Sequence, residues 1–185
     1  MKWLIGLSAL IFGVALAWLN KASSKIVHNP SSVCLTSGNI KNGDQLPVDQ
    51  TCVGRNISPH LAWSNVPTGA KSFSIICDDP DAPAGIWVHW VIFNIPPTVN
   101  ELSAAIPVKG VLDNGARHGK NDFGNLGYGG ACPPKGHGKH RYFFKLYALD
   151  VMLDLQPGAT KTDVENAMEG HILATAQLQG WYERK

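Results

Sequence analysis

A stretch in the middle of the chain alternates between apolar and polar residues and predicts a β-strand. Residues 71–79 (KSFSIICDD) place Phe73, Ile75 and Cys77 on one face. The same alternation puts Asp79 at the end of the strand, on the Phe73 side. We therefore expect a carboxylate at the edge of the core.

Two further strands are predicted on either side of a long glycine-rich segment. Residues 87–95 (WVHWVIFNI) are apolar on both faces, which is typical of a strand inside a sheet that is covered on both sides. His89 is therefore expected among buried residues. Residues 140–150 (HRYFFKLYALD) alternate again, so His140 begins a core-facing row while Arg141 points the other way.

The hydrophobic period changes near the C-terminus and predicts one α-helix. Thr162 and Glu165 have the spacing of a capping box at its start. Several strands with one late helix predict a mainly β domain, built as two packed antiparallel sheets with the helix on one flank. The strand order stays open. The residues at helical spacing are Val164, Ala167, Met168, His171, Ile172 and Thr175.

The segment between the second and third strands, residues 110–140, holds nine glycines and two prolines. Loops of this length in a compact domain are usually functional or disordered. Two aromatic residues within it, Phe123 and Tyr128, favour an ordered loop.

The N-terminus predicts export. Lys2 precedes an apolar run over residues 3–19, which is short for a membrane-spanning helix and contains small residues suited to cleavage after Ala17 or Ala22. We interpret residues 1–22 as a signal peptide, with an uncleaved membrane anchor as the alternative, and residues 26–185 as one domain. Both interpretations place the domain in the periplasm or outside the cell, touching the membrane only through an uncleaved leader.

The composition of the chain argues against one class of function, nucleic-acid binding. The chain is 44% hydrophobic and 16% charged with a formal net charge of +2, which gives no basis for a nucleic-acid surface. The 19 glycines and 12 prolines favour strands joined by shaped loops.

Four cysteines, Cys34, Cys52, Cys77 and Cys132, allow three pairings in an exported protein. None has C-x-x-C spacing, which argues against a zinc or redox motif. Cys77 lies in a predicted strand and is expected to be a small buried hydrophobic residue, so we expect one disulfide at most.

Two motifs carry the candidate chemistry. Residues 78–83 (DDPDAP) precede His89, and the glycine-rich residues 128–139 lead into His140. Two imidazoles, a strand-end carboxylate and glycine backbone N–H groups together suit a small anion such as a phosphate ester. The structural alternative is a pair of satisfied core histidines beside an acidic turn.

Neighbouring residues extend this hypothesis. Trp87 lies two residues before His89 on the same strand face, where its ring could cover a ligand or its N–H could donate. Lys135 and Lys139 could steer anions or simply be solvated. His137, on a glycine loop, is interpreted as a solvated residue.

Enzymatic alternatives are weaker. Asp79, His89 and His140 match the ligand types of a non-haem iron site, but no H-x-D or H-E-x-x-H spacing supports one. No G-x-S-x-G motif supports a serine hydrolase. We therefore predict no catalytic residues and no metal ligands.

Four segments together resemble the phosphatidylethanolamine-binding protein family, in particular its bacterial branch of Raf kinase inhibitor-like proteins. The segments are DDPDAP at 78–83, HW at 89–90, GYGGACPPKGHGKHRY at 127–142 and NISPHLAW at 56–63. The resemblance implies a β-sandwich with a pocket at one end for phosphate, acetate or phosphoethanolamine head groups, without a cofactor or established catalysis.

The resemblance also implies roles for individual residues, with Asp81 and Tyr128 as supporting residues. Cys132 stands where many eukaryotic members have glycine, which leaves less room at the pocket wall. We predict a Cys52–Cys132 disulfide, with Cys34–Cys52 as the alternative. The ligand-binding residues that carry over are Asp79, Pro83, Trp87, His89, Gly130, Pro133, Pro134, His140 and Tyr142.

The resemblance does not fix the partner. Eukaryotic relatives modulate kinases or act as flowering signals, roles that an exported protein would not share. Some relatives inhibit proteases, so an envelope protease inhibitor or interaction module is the alternative. The sequence predicts a non-enzymatic exported binding protein for a small anionic ligand.

Overall fold

The computed structural model describes residues 32–185, so the predicted leader lies outside the described residues. The three predicted strands agree with the structure to within one residue at each end. Within the described residues no helix is long and apolar enough to cross a membrane. The elements are β1 (Cys34–Thr36), β2 (Leu61–Ser64), β3 (Ser72–Asp79), β4 (Trp87–Ile95), β5 (Glu101–Leu102), β6 (Arg117–His118), β7 (His140–Leu149), α1 (Lys161–Met168) and β8 (Ile172–Tyr182).

The strands form two antiparallel sheets, ordered β1-β2-β5 and β6-β4-β3-β7-β8. One core lies between the sheets and includes Trp63 of the smaller sheet and Phe73 of the larger. A second cluster on the other face of the larger sheet joins Ile76 to Val164 and Met168 of α1. Because both faces of the larger sheet are covered, β3 is buried along its whole length. The sequence predicted this kind of burial for β4.

The predicted helix is present but ends earlier than the helical spacing of apolar residues predicted. Its capping box is formed by Thr160 and Asp163, two residues before the predicted pair. The prediction was wrong after Met168, because Gly170 adopts φ +77° and the chain then enters β8. Ile172 matches a helical period by coincidence and lies in a strand that pairs with β7 along its length.

The long loop before β7 is ordered, as its aromatic residues indicated. It runs along β4 and bonds to it through backbone N–H groups: Gly119 to the Val91 oxygen (2.9 Å), and Gly129 to the His89 oxygen (2.8 Å). These bonds fix the loop against the first half of β4.

Cys52 and Cys132 form a disulfide, the pairing predicted through the family resemblance. The alternative pairing of Cys34 with Cys52 is wrong, since Cys34 is an exposed free thiol. Cys77 is 1% exposed, as predicted for a buried strand residue.

The topology brings the candidate residues to one end of the larger sheet. Because β4 and β7 both run antiparallel to β3, the end of β3 lies between the starts of its two neighbours. Asp79 is therefore opposite Trp87 and close to His140.

Candidate ligand pocket

A cavity of about 280 Å³ opens at this end of the sheet. Seven of the nine predicted ligand-binding residues line it, and Gly130 and Tyr142 do not. The lining residues are Asp79, Ala82, Pro83, Ala84, Trp87, His89, Phe123, Cys132, Pro133, Pro134 and His140.

A buried carboxylate–imidazole pair forms one wall. His140 Nδ1 lies 2.7 Å from Asp79 Oδ2, and both side chains are nearly inaccessible to solvent. The other Asp79 oxygen accepts the backbone N–H of Asp81 at 2.8 Å. Because an ionised carboxylate only accepts hydrogen bonds, His140 carries its hydrogen on Nδ1.

The other nitrogen of His140 is also engaged. Its Nε2 lies 2.7 Å from Nδ1 of His137. The ring of His137 is exposed, as expected, but it is not merely solvated, because it extends the Asp79–His140 pair to the surface. Sequence spacing gave no signal for this contact, which depends on the turn that brings the loop back over His140.

His89 forms the opposite wall. Its Nδ1 donates to the Gly129 carbonyl oxygen at 2.7 Å, which leaves Nε2 as the nitrogen available to a ligand. Burial lowers the pKa of His89 below its usual value, although the bond to Gly129 and the charge of Asp79 oppose that shift. The uncharged imidazole is therefore favoured, with a lone pair on Nε2.

Two aromatic rings complete the wall beside His89. Trp87 and Phe123 meet edge to face at 5.5 Å, and Phe123 meets the His89 ring at 5.3 Å. The Trp87 Nε1–H group is buried and has no hydrogen-bond partner among the described residues. Phe123 was not predicted as a pocket residue, because only the path of the loop along β4 brings it there.

The backbone N–H groups of Gly129 and Gly130, two candidates for the predicted anion nest, already donate to protein acceptors. The Gly130 N–H donates to Asn56 Oδ1 at 2.6 Å, and the Gly129 N–H donates to the His89 backbone oxygen. Glycine is required at position 130 for packing, since a Cβ there would lie 2.5 Å from Asn56 Oδ1. Gly130 lines a neighbouring cavity with Cys52 and Tyr128 instead.

The two tyrosines lie behind the pocket. Tyr128 donates its hydroxyl to the Gln50 carbonyl oxygen at 2.7 Å, and burial raises its pKa. Tyr142 is 1% exposed and packs edge-on against His89 at 5.0 Å. Its hydroxyl has no partner of hydrogen-bond geometry within residues 32–185, and burial next to the Asp79 charge raises its pKa.

Asp81 holds the turn after β3 against the start of β7. Its two oxygens bond Nε and Nη2 of Arg141 at 2.8 and 2.7 Å. These bonds lower the pKa of Asp81 to about 2. This turn carries Ala82 and Pro83 to the pocket rim.

A second, more open cleft of about 470 Å³ lies on the outer side of His140. The Lys139 ammonium group lies 4.0 Å from the centre of the Trp181 ring. His140 therefore separates the pocket from the cleft. The cleft is lined by Asp81, His137, Lys139, His140, Arg141, Gln179 and Trp181.

The described residues offer no group of three or more His, Cys, Asp or Glu side chains arranged to hold a metal ion. Both nitrogens of His140 are bonded to protein atoms. The iron-site alternative gains no support from this geometry.

Comparisons with known proteins identify similar chains. A family model described as phosphatidylethanolamine-binding protein matches residues 36–183. A protein described as UPF0098 from Methanothermobacter thermautotrophicus is 57% identical over 76% of this chain and 91% of its own length. A UPF0098 protein from Aquifex aeolicus is 52% identical over 80% of this chain and 86% of its own.

Two solved structures are similar to this chain in both fold and sequence. YbcL of Escherichia coli, described as a member of the mammalian PEBP family, superposes with a TM-score of 0.76 at 40% identity, over 84% of this chain and all of YbcL. CT736 of Chlamydia trachomatis, described as a putative homologue of the same family, gives 0.75 at 41% identity over 83% of this chain and 99% of its own.

Proposed function

Since the chain belongs to the phosphatidylethanolamine-binding protein family, we propose that it is a non-enzymatic binding protein for a small phosphoryl or carboxylate ligand. The ligand occupies the pocket between Asp79, His89 and His140. The volume of about 280 Å³ suits a head group of the phosphoethanolamine type rather than an acyl chain.

The observation that carries this proposal is the Trp87 indole N–H. It is buried beside the pocket with no acceptor among the described residues. A buried donor without a partner is costly, and an oxygen of a bound phosphoryl or carboxylate group would supply the missing acceptor. The apolar walls, with Pro83 and Phe123, exclude water around that bond.

We also propose export to the periplasm or the cell exterior. The support is the apolar run over residues 3–19 after Lys2, together with the Cys52–Cys132 disulfide, which is compatible with an oxidising compartment.

An envelope protease inhibitor or protein-interaction module is the second candidate. Residues 134–137 are exposed in succession at the rim of the pocket, as a protein contact would require. Substitutions at Lys135 and Lys139 would then abolish inhibition of an envelope protease and leave phosphoethanolamine binding intact.

The binding proposal is tested by NMR titration of the full-length protein with phosphoethanolamine, with inorganic phosphate in parallel. We expect saturable shifts of the His89 and His140 ring protons. Trp87→Phe keeps the ring and removes only the donor, so it should weaken binding by about 1 kcal/mol, or about fivefold.

Trp63→Phe is the matched control. Trp63 also has a buried indole N–H without a partner, but it lies in the core between the sheets, packed against Phe73. Its replacement should leave affinity unchanged. Absence of any histidine shift at millimolar ligand would refute the pocket as a binding site.

A further inference from the structure

The pocket has an unusual charge balance for an anion site. Asp79 is the only Asp, Glu, Lys or Arg among its lining residues, so its one fixed charge is negative. A second anion in this space is repelled unless a nearby group becomes positive. Among the lining residues, only the imidazoles of His89 and His140 can do so. Arg184 is a permanent cation outside the lining, with Nη1 3.1 Å from Cys132 Sγ.

The two imidazoles differ in the groups that would surround a positive ring. His89 is enclosed by the Phe123 and Tyr142 rings and donates Nδ1–H to a neutral carbonyl, so burial opposes a charge there. His140 donates Nδ1–H to the carboxylate of Asp79, which balances a positive ring. The proton that makes His140 positive must sit on Nε2.

That nitrogen is the one that His137 contacts. With 2.7 Å between His140 Nε2 and His137 Nδ1, a single hydrogen lies between the two rings. When the pair holds one extra proton, either ring can carry the positive charge. The exposed ring of His137 connects this proton to solvent.

We propose that the pocket binds its anion together with one proton, and that His137 sets the pH range of binding by sharing this proton with His140. The inference rests on the proposed anion-binding function. The proton comes from solvent, enters through the His137 ring and leaves His140 as an imidazolium between Asp79 and the bound anion. No covalent bond to the ligand forms or breaks.

Other ionisable groups around the pair do not supply this charge. Asp81 and Arg141 neutralise each other through two hydrogen bonds. Lys139 lies over the Trp181 ring on the outer side of His140, in the cleft and not in the pocket. The groups facing the pair from β3, β4, β7 and the loops are Asp79, Asp81, His89, Lys139, Arg141 and Tyr142. From the C-terminal side, β8 contributes the uncharged Gln179 and Trp181 and places Tyr182 opposite His140, and Arg184 beyond it lies against Cys132.

The test measures sulfate binding by calorimetry between about pH 5.5 and pH 8.5. Sulfate is tetrahedral like phosphate but stays a dianion over this range, so any pH dependence comes from the protein. Repeating the titration in buffers of different ionisation enthalpy counts the protons taken up. We expect uptake of about one proton per sulfate at the alkaline end, where affinity falls about tenfold per pH unit.

His137→Gln removes the shared proton but keeps a side chain that can bond His140 Nε2. We expect its sulfate affinity to match the wild type within about twofold at about pH 5.5 and to fall about three- to tenfold below it at about pH 7.5, because the binding profile moves to lower pH. His171→Gln is the matched control, since the His171 ring likewise bonds an ionisable side chain through Nδ1, in this case Asp150 at the opposite end of the sheet. Its profile should coincide with the wild type.

The outcomes separate the inference from the function on which it rests. A pH-independent sulfate affinity, or a His137→Gln profile identical to the wild type, overturns the inference. Binding of phosphate but not sulfate also overturns it, because the proton then arrives on the ligand. If neither anion nor phosphoethanolamine binds at any pH, the proposed function itself fails.

Discussion

Two adjacent carboxylates of β3 are equally buried but have different partners. Asp78 is 1% exposed and Asp79 is 3% exposed. One oxygen of Asp78 accepts from Nζ of Lys145 at 2.8 Å and of Lys161 at 2.7 Å. Asp79 instead accepts from the His140 ring and a backbone N–H.

The strand places the two side chains on opposite faces, and their partners decide their roles. Two ammonium groups contact the Asp78 carboxylate, which ties the sheet to α1 through Lys161. Imidazoles change charge near neutral pH, so the surroundings of Asp79 can respond to a ligand. Burial alone therefore does not distinguish a structural carboxylate from a functional one.

The largest expected effect comes from removing the Cys52–Cys132 disulfide, which lies on the pocket side of the sheet. No such bond lies beside Asp78 among the described residues. Replacing Cys52 and Cys132 together by serine opens a loop with a sequence separation of 80. Loop-closure entropy predicts a loss of about 4.5 kcal/mol in unfolding free energy, measured by urea denaturation. Phosphoethanolamine affinity should also fall, because Cys132 lines the pocket. A Cys34→Ser variant, which removes a free thiol, should change neither quantity.

Breaking the ion cluster of Asp78, Lys145 and Lys161 is expected to lower the unfolding free energy by nearly as much. Asp78→Asn leaves two lysines facing a neutral group, and we expect a loss of about 3 kcal/mol in unfolding free energy. Ligand affinity should survive, since the pocket lies on the other face. Asp150→Asn, at an exposed carboxylate paired with His171, is the control. A loss below about 1 kcal/mol for Asp78→Asn would show that the cluster contributes little.

His118 is a third buried ionisable residue, and it differs from Asp78 and Asp79 in having no hydrogen-bond partner for its ring among the described residues. Neither ring nitrogen is bonded among the described residues, and burial lowers its pKa from 6.5 to about 4. The unfolded chain therefore binds a proton as pH falls through 6.5, while the folded one does not until about pH 4. This contribution to stability is complete above pH 6.5 and falls by about 1.4 kcal/mol per pH unit below it.

Denaturation at about pH 7 and pH 5 measures this effect. From pH 6.5 to pH 5, His118 should account for about 2 kcal/mol of lost stability. His118→Leu should show a correspondingly smaller drop. Equal drops in both proteins would mean that other groups control the acid sensitivity.

The smallest expected effect is at Asp79, the carboxylate that lines the candidate pocket. Asp79→Asn keeps a side chain that can hydrogen-bond the His140 ring, so we expect a loss of only about 1–2 kcal/mol in unfolding free energy. The nitrogen chemical shifts of His140 should report a changed tautomer. A loss as large as that of Asp78→Asn would contradict the distinction between the two carboxylates.

The sequence was sufficient for most of the fold because alternation and apolar runs report burial directly. The strands starting at Trp87 and His140 were predicted with their correct first residues. The last strand was missed because Ile172 and Thr175 continue a helical period by coincidence, and only pairing with β7 decides their conformation.

The candidate site was predictable where strand ends place a side chain and not where a loop folds back. Asp79, Trp87, His89 and His140 come from strand termini whose positions follow from antiparallel pairing. His137 and Phe123 arrive through turns, and local spacing carries no information on such contacts. The backbone N–H of Gly130 was misjudged because its acceptor, Asn56, lies far away in sequence.

The position of the disulfide also sets a condition on how the protein acquires its structure. Cys77 lies inside the loop that the Cys52–Cys132 bond closes, and Cys34 precedes both. As the chain lengthens during synthesis, Cys52 meets Cys34 and Cys77 before Cys132 exists, and shorter loops close at lower entropic cost. Oxidation in the order of emergence would therefore give a non-native bond. The Cys52–Cys132 bond would then require thiol–disulfide exchange that releases Cys52 until β3 has buried Cys77.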